Sequence, residues 1–408
     1  MSNLYPPHYI GGYELGCRNV VEGLRSRGHD VKVLTSRYPI TVPSHENYVY
    51  RWLNARIGWD ATRSNRFLVR LFKQEITNQL AFKRLYHLLK PQIVYIWNLG
   101  FISVSLPFVA QRAGCRVCYF ISDNWLSEWE ADAWHSEISR PPIHLFNRAI
   151  WWAMRSVLCL AGLLPQTVAL DLSHVQFASE YLKRTALKKG KPVDNASVIH
   201  WGVDTSAFRY KTTVTEPRRL LYVGQLVPHK GVHTVVQALQ RLVHDKGLSS
   251  VTLTLVGKGV PEEWGDYEDS LRKLVNVLDL ERNVTFAGSR NREELPGIYS
   301  QHDILVFAST WEEPFSITVL EGMASGLAVV GTTTGGSAEI FEHVGNSLVF
   351  HKEKSDDCAK QIERLIKSPE LYERIRRNGR ETVEQKFKFD VMLDRIESSL
   401  LQVAEGSV

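Results

Sequence analysis

The sequence predicts two doubly wound α/β domains facing each other across a cleft, and three observations lead there. Short apolar strands alternate with helical stretches almost throughout, the pattern of parallel sheets covered by helices. At 408 residues the chain exceeds what one hydrophobic core supports. Strand after strand in the second half ends on glycine, as expected where backbone must come close to a ligand.

In the first half, residues 29–36, 92–98, 116–122, 175–178 and 197–201 read as strands, with a long amphipathic helix over 67–90 between two of them. In the second half the strands are 219–224, 250–257, 283–288, 303–308, 328–331 and 347–350, and long helices follow to the end. Residues 204–217 carry no apolar periodicity, so the break falls there. The expected division is a first domain 1–208, a linker 209–217 and a second domain 218–385. A C-terminal helix, 386–408, is expected to pack back on the first domain.

Composition is that of an ordinary globular protein, with 44% hydrophobic and 23% charged residues. A net charge of +5, from 49 basic and 44 acidic residues, is too mild to argue for nucleic acid. Cys115 and Cys118 have CxxC spacing, but they lie in an apolar strand and no second pair completes a zinc site. No secretory leader opens the sequence, so the expected location is the cytoplasm, with contact at the inner membrane face.

The most informative stretch is 309–326, STWEEPFSITVLEGMASG. A strand ends at Ala308, Pro314 stands where a helix is about to begin, and the amides of Phe315, Ser316 and Ile317 would be free first-turn donors for phosphate oxygens. Glu313 lies just before that helix and Glu321 a little over two turns later, too far apart to share a proton. A solvated loop acid and a helix-face acid would look the same in isolation. In 222–231, YVGQLVPHKG, Gly224 permits close backbone approach, Gln225 follows it, and Lys230 can place a point charge on a diphosphate. The lysine of an ordinary βα-turn would read the same way. Gly257, and then Gly288 with Ser289 and Arg290, end the next two strands and leave room for a flat base and ribose. Gly335 and Gly336, followed by Glu339, continue this rim. Near the start, Gly11 and Gly12 could bring amides to a phosphate across the cleft, or simply form a flexible beginning.

Taken together these residues resemble glycosyltransferase family 4, retaining enzymes of the GT-B architecture with two Rossmann-like domains. The resemblance runs over nearly the whole chain. Its signature is a Glu, seven residues and a second Glu, here Glu313 and Glu321. Gly11-Gly12, Gly202-Val-Asp with Phe208, and Gly224 through Gly231 match in order. The resemblance implies that Glu321 hydrogen-bonds the donor ribose and that Glu313 contacts hydroxyls of the transferred sugar. It also implies that Phe315 and Ser316 offer amides near the sugar and diphosphate, and that Lys230 neutralises the leaving diphosphate. No metal or other cofactor is expected, since fixed donors and a lysine can stabilise that charge. The implied partners are a nucleotide-sugar donor and a glycan, lipid-linked or small-molecule acceptor, in a role such as cell-envelope polysaccharide synthesis.

Three departures stand out. Gln225 occupies the place where the family usually has Arg. Ser122 stands where many members have His, ahead of Asp123, which is either a catalytic contact or an N-cap. Only Met1 and Ser2 precede Asn3, whereas relatives open with an apolar strand, so the expectation is a start several residues earlier. Residues 51–84 carry eight Lys or Arg, interleaved with Trp52, Trp59, Phe67 and Phe72, and residues 149–165 are strongly apolar. This suits docking on an anionic membrane, or equally a core helix beside a solvated basic one. A GT-B sugar epimerase and a catalytically silent scaffold are the competing readings.

Overall fold

The computed structural model describes residues 1–40, 42–57, 65–132, 145–160, 170–210, 216–260 and 265–406. The chain divides into two compact units, residues 1–199 with 393–408, and residues 200–392. The division falls at Ile199/His200, earlier than the expected linker. The reason is local. Val203 N–H donates to Phe387 O at 2.9 Å and Phe389 N–H to Val203 O at 3.0 Å, which ties both crossing segments into one unit. The chain returns to unit 1 at Leu393, within the last helix, rather than at residue 386.

Unit 1 contains β1 (Val33–Ser36), β2 (Ser44–Glu46), β3 (Val49–Leu53), β4 (Ile93–Ile96), β5 (Arg116–Ile121), β6 (Val175–Phe177) and β7 (Ser197–Val198). Its helices are α1 (Gly12–Ser26), α2 (Asn65–Leu89), α3 (Leu106–Arg112), α4 (Leu145–Leu160) and α5 (Glu180–Lys188). The strands pair in the orders β1-β3-β2 and β4-β5-β6-β7, parallel except for β2. The β2–β3 hairpin, which the sequence reading missed, turns at Asn47 with φ 52°, a left-handed value asparagine tolerates.

Met1–Asn3 lies between β1 and the end of β4. Ser2 N–H donates to Leu34 O, Ser36 N–H to Asn3 O, and Trp97 N–H to Met1 O. The expected gap in the sheet is therefore half filled by the first three residues. Towards the amino ends of β1 and β4 the place between them is a cavity of about 440 Å³. Val20, Val21, Leu24, Leu85, Ile93 and Leu400 are among its lining residues. The α-amino group of Met1 donates to Tyr95 O at 2.6 Å, and burial pushes its pKa below the usual value.

Unit 2 has one parallel sheet in the order β10-β9-β8-β11-β12-β13. Its strands are β8 (Arg219–Val223), β9 (Thr252–Val256), β10 (Val284–Gly288), β11 (Ile304–Phe307), β12 (Ala328–Gly331) and β13 (Leu348–Val349). The helices are α6 (Val232–Gln240), α7 (Tyr267–Val277), α8 (Leu295–Ser300), α9 (Ile317–Ala324), α10 (Ser355–Lys367), α11 (Pro369–Lys386) and α12 (Phe389–Glu405), the last running into unit 1. The strands are Val- and Leu-rich because both faces are covered. Leu220, Leu253, Ile304 and Val330 pack with Val235, Leu239, Ile362 and Ile375 in one core. The strand order reverses between β8 and β11. In an open α/β sheet the crevice beyond the carboxyl ends of two such strands is where ligands bind.

Candidate active site

That switch point is where the sequence motifs converge. The loop after β8 carries Lys230 and the loop after β11 carries Glu313. Lys230 Nζ donates to Glu313 Oε1 at 2.5 Å, and Ser309 Oγ donates to the same oxygen at 2.7 Å. Glu313 is 5% exposed, so its charge is compensated inside the protein. Trp311 is half exposed, its ring centroid 5.7 Å from Lys230 Nζ. The carbonyl of Glu313 accepts from Gly336 N at 2.7 Å, locking the next rim loop onto this one. Gly335, at φ 53°, packs so closely that a Cβ there would lie 2.2 Å from Glu313 O. Likewise a Cβ on Gly257 would lie 1.8 Å from Gly224 O, so the β8 and β9 loops also require glycine to approach.

Helix α9 begins at Ile317, with Ser316 as its N-cap residue in extended conformation. Pro314 thus precedes the helix by three residues instead of opening it. Among the described residues the amides of Phe315 and Ser316 have no hydrogen-bond partner. The hydroxyls of Thr334 and Ser337, 2% and 0% exposed, also lack one. Buried polar groups rarely stay unpartnered, so this group of donors is suited to an anionic, oxygen-rich ligand. Glu321, near the end of α9, is 1% exposed. Arg292 Nη2 lies 2.7 Å from its Oε1 and Tyr299 Oη donates to Oε2 at 3.0 Å. Burial raises its pKa, partly offset by Arg292.

Several expected contacts are placed differently. Arg290 is exposed and pairs with Glu294 at 3.5 Å, so the arginine that reaches Glu321 is Arg292, two residues on. Ser289 and Gln225 are exposed, and Ile317 is half buried. Sequence reasoning also missed His200, whose Nε2 lies 2.7 Å from Glu339 Oε2 and whose ring is tilted against that of Phe315, centroids 5.4 Å apart. Its one signal was its place two residues before Gly202-Val-Asp.

In unit 1 a second group forms at the carboxyl ends of the strands. Gly11 is the N-cap residue of α1, and its amide donates to Glu14 Oε2 at 2.9 Å. The Gly11 amide is therefore engaged by the helix's own third residue, and only Gly12, exposed at the first helical position, keeps the place expected of it. Asp123 follows β5. It accepts from Asn98 Nδ2 and from Trp125 N at 3.1 Å, the latter a local turn rather than a helix cap, since no helix starts there. Burial, reinforced weakly by Glu14, pushes the Asp123 carboxyl up to about 6. Ser122 Oγ and Asn124 Oδ1, beside it, are buried without partners.

The basic face of residues 51–84 is only partly a surface. Arg51 is 4% exposed and donates to the carbonyls of Tyr5 and Pro6. Arg56 pairs inward with Glu75 and Asp132, and Phe72 is in the core. Arg70, Lys73 and Arg84 are exposed on α2. Trp59, Asp60 and Arg63 lie outside the described residues. On α4, Trp151 is buried while Trp152 and Val157 are exposed. Among the described residues no helix is long and apolar enough to cross a membrane.

Comparison with known proteins gives this geometry a family. Residues 10–207 match the model of Glycosyltransferase Family 4 and residues 204–382 that of Glycosyl transferases group 1. The chain belongs to glycosyltransferase family 4. An uncharacterised glycosyltransferase of Methanocaldococcus jannaschii is 23% identical to this family member over 95% of the chain and 93% of its own length. A GDP-mannose-dependent phosphatidylinositol monomannoside mannosyltransferase of Mycobacterium tuberculosis is 26% identical over 54% of the chain and 60% of its own. Among solved structures, sucrose-phosphate synthase of Thermosynechococcus elongatus superposes with TM-score 0.70 at 18% identity, covering 97% of this chain and 94% of that one. HepE of Anabaena, solved with UDP, gives 0.67 at 19% identity and covers 98% of each chain. The family 4 chain thus has the GT-B fold.

Proposed function

We propose that this transferase takes a nucleoside-diphosphate sugar in unit 2 and passes the sugar, with retention of configuration, to an acceptor hydroxyl held by unit 1. The observation that carries the reading is Lys230 on Glu313, at the switch point of the unit 2 sheet and in the same rim as two unpartnered amides. Breaking the bond between the sugar and the phosphate leaves negative charge on the departing diphosphate and positive character on the sugar ring. Lys230 and the amides of Phe315 and Ser316 supply donors for that charge, so no metal is required by the chemistry. A diphosphate beside Lys230 draws its ammonium away from Glu313, and the freed carboxylate can then accept from hydroxyls of the sugar. Glu321 takes the ribose. UDP is bound by HepE, and the mycobacterial relative is GDP-mannose-dependent, so UDP- and GDP-sugars are the donors to try.

The acceptor is a glycan, a lipid-linked sugar or a small molecule. The exposed Trp152, Val157 and α2 cations favour an acceptor presented at an anionic membrane surface. A thermal-shift screen of UDP- and GDP-sugars tests the donor reading, because a ligand that binds only the folded chain raises its melting temperature. Stabilisation by one class is expected, and none by either would refute it. Flotation with anionic liposomes tests the membrane contact, expected to weaken with salt.

A further inference from the structure

Glu321, proposed to take the ribose, has one oxygen hydrogen-bonded and the other in an ion pair but without a hydrogen-bond partner. Arg292 Nη2 stands 2.7 Å from Oε1, and Tyr299 Oη donates to Oε2 at 3.0 Å. The two partners are unlike in character. Tyr299 is fully buried, and the ring of Phe208 meets its ring edge-on at 5.9 Å, so it is fixed from behind. The Arg292 side chain keeps a third of its surface exposed and opens a short 3-10 turn after β10, ahead of α8. That turn is held by Glu294, whose carboxylate accepts from Asn291 N at 2.8 Å. From α11, Arg376 and Arg380 turn instead to the carbonyls of Gly326 and Ala324, at the carboxyl end of α9. Among the described residues Arg292 is thus the cation that faces the Glu321 carboxylate.

A carboxylate accepts about four hydrogen bonds; Tyr299 supplies one to Oε2, and Oε1, beside Arg292, has no hydrogen-bond partner, so there is room for two hydroxyls. It can do so only while ionised, because a protonated carboxyl becomes a donor on one side. Burial works against the ionised form here and Arg292 works for it. Two adjacent hydroxyls on neighbouring carbons match the remaining lone pairs, and one hydroxyl leaves a desolvated acceptor unsatisfied.

Resting on the nucleotide-sugar reading, we propose that Arg292 is a positioning residue that holds Glu321 as a fixed acceptor for the vicinal hydroxyls of a ribose. Selection of ribonucleotide over deoxyribonucleotide then depends on Arg292 and not on Glu321 alone. Arg292 touches the carboxylate, not the reacting atoms, so its removal changes donor affinity before it changes the rate at saturation.

Titration calorimetry on the full chain with UDP, GDP and their 2′-deoxy counterparts decides the point. The wild-type chain is expected to prefer the ribose form by at least about tenfold. Arg292→Lys keeps most of that preference. Arg292→Gln loses part of that preference, and loses more of it as pH falls, because burial without the cation favours the neutral carboxyl. A glutamine variant that discriminates as well as wild type at every pH overturns the inference, as does one that has lost discrimination equally at every pH. Should the wild-type chain bind neither UDP nor GDP, the nucleotide-sugar reading falls first and takes this inference with it. Ribose preference in wild type with an unaffected glutamine variant leaves that reading standing and removes Arg292 alone.

Discussion

The two units are built on the same plan and held together by different means. In unit 2 every strand of a six-stranded parallel sheet is in place, and the loops beyond β8, β9, β11 and β12 are locked to one another through backbone contacts. Its chemical groups are consequently fixed before any ligand arrives: Lys230 on Glu313, and Arg292 and Tyr299 on Glu321. In unit 1 the central position of the sheet is held by three residues above a cavity of about 440 Å³. Its polar groups serve mostly to hold loops. Gln74 Nε2 on α2 reaches the carbonyls of Asn54 and Ile102, and Asn78 Oδ1 accepts from Asn54 N. The difference teaches that the loops of unit 2 are held to one another by backbone contacts, whereas those of unit 1 are held by buried side chains.

The largest way to break the contrast is at the tightest loop contact of unit 2. Gly335→Ala places a methyl 2.2 Å from Glu313 O in a left-handed backbone conformation. A loss of about 1–3 kcal/mol in the stability of unit 2 is expected, with donor-dependent activity falling at least as far, measured by chemical denaturation and nucleotide release.

Unit 1 should show its reliance on buried polar groups through pH. Burial raises the Glu75 carboxyl to about 7, although Ser103, Arg56 and Ser105 oppose the shift. The folded chain therefore holds this proton over a window, from the ordinary carboxylate range up to about pH 7, in which the unfolded chain has released it. Unfolding free energy then falls as pH rises through that window, by up to about 3 kcal/mol. Glu75→Gln flattens the dependence of the denaturation midpoint on pH, and an unchanged slope would rule out Glu75 as its source.

Filling the cavity should sharpen the same comparison from the other side. Four apolar, β-branched residues added ahead of Met1 would run between β1 and β4, pair with both and remove a buried ammonium group. A rise in melting temperature of at least about 4 °C is expected, the shift that about 2 kcal/mol produces in a unit of this size. An unchanged melting temperature, with the added residues open to protease, would show that the cavity does not seat a strand.

The smallest effect concerns Gln225, exposed at the end of β8. Gln225→Arg adds a cation beside the proposed diphosphate and should tighten nucleoside-diphosphate binding by severalfold, an effect that fades with salt.

Much of unit 2 was legible in the sequence because its signals are local. Val- and Leu-rich runs, four of them ending on glycine, gave all six strands to within about two residues. The spacing of Glu313 and Glu321 placed both acids without three-dimensional information. Arg292 was not legible, because Arg290, Arg292 and Glu294 sit in one short turn and only the backbone path decides which arginine points inward. The inward turn of Arg51 and Arg56 was hidden for a similar reason. A cation count cannot distinguish a solvated face from side chains that satisfy loop carbonyls and buried acids. The β2–β3 hairpin was missed although Val49-Tyr-Arg-Trp-Leu53 has the β-branched and aromatic composition of a strand.

The central claim is that Lys230 and Glu313 together form the sugar-diphosphate end of a donor site, and its most direct test is release of UDP or GDP from the matching nucleotide sugar. With chelator present and no acceptor added, the wild-type chain is expected to release nucleoside diphosphate slowly. Lys230→Ala should reduce the rate by about 10²–10³, the range seen when a preorganised donor to developing negative charge is removed. An unaltered rate in a folded Lys230→Ala chain would contradict the account.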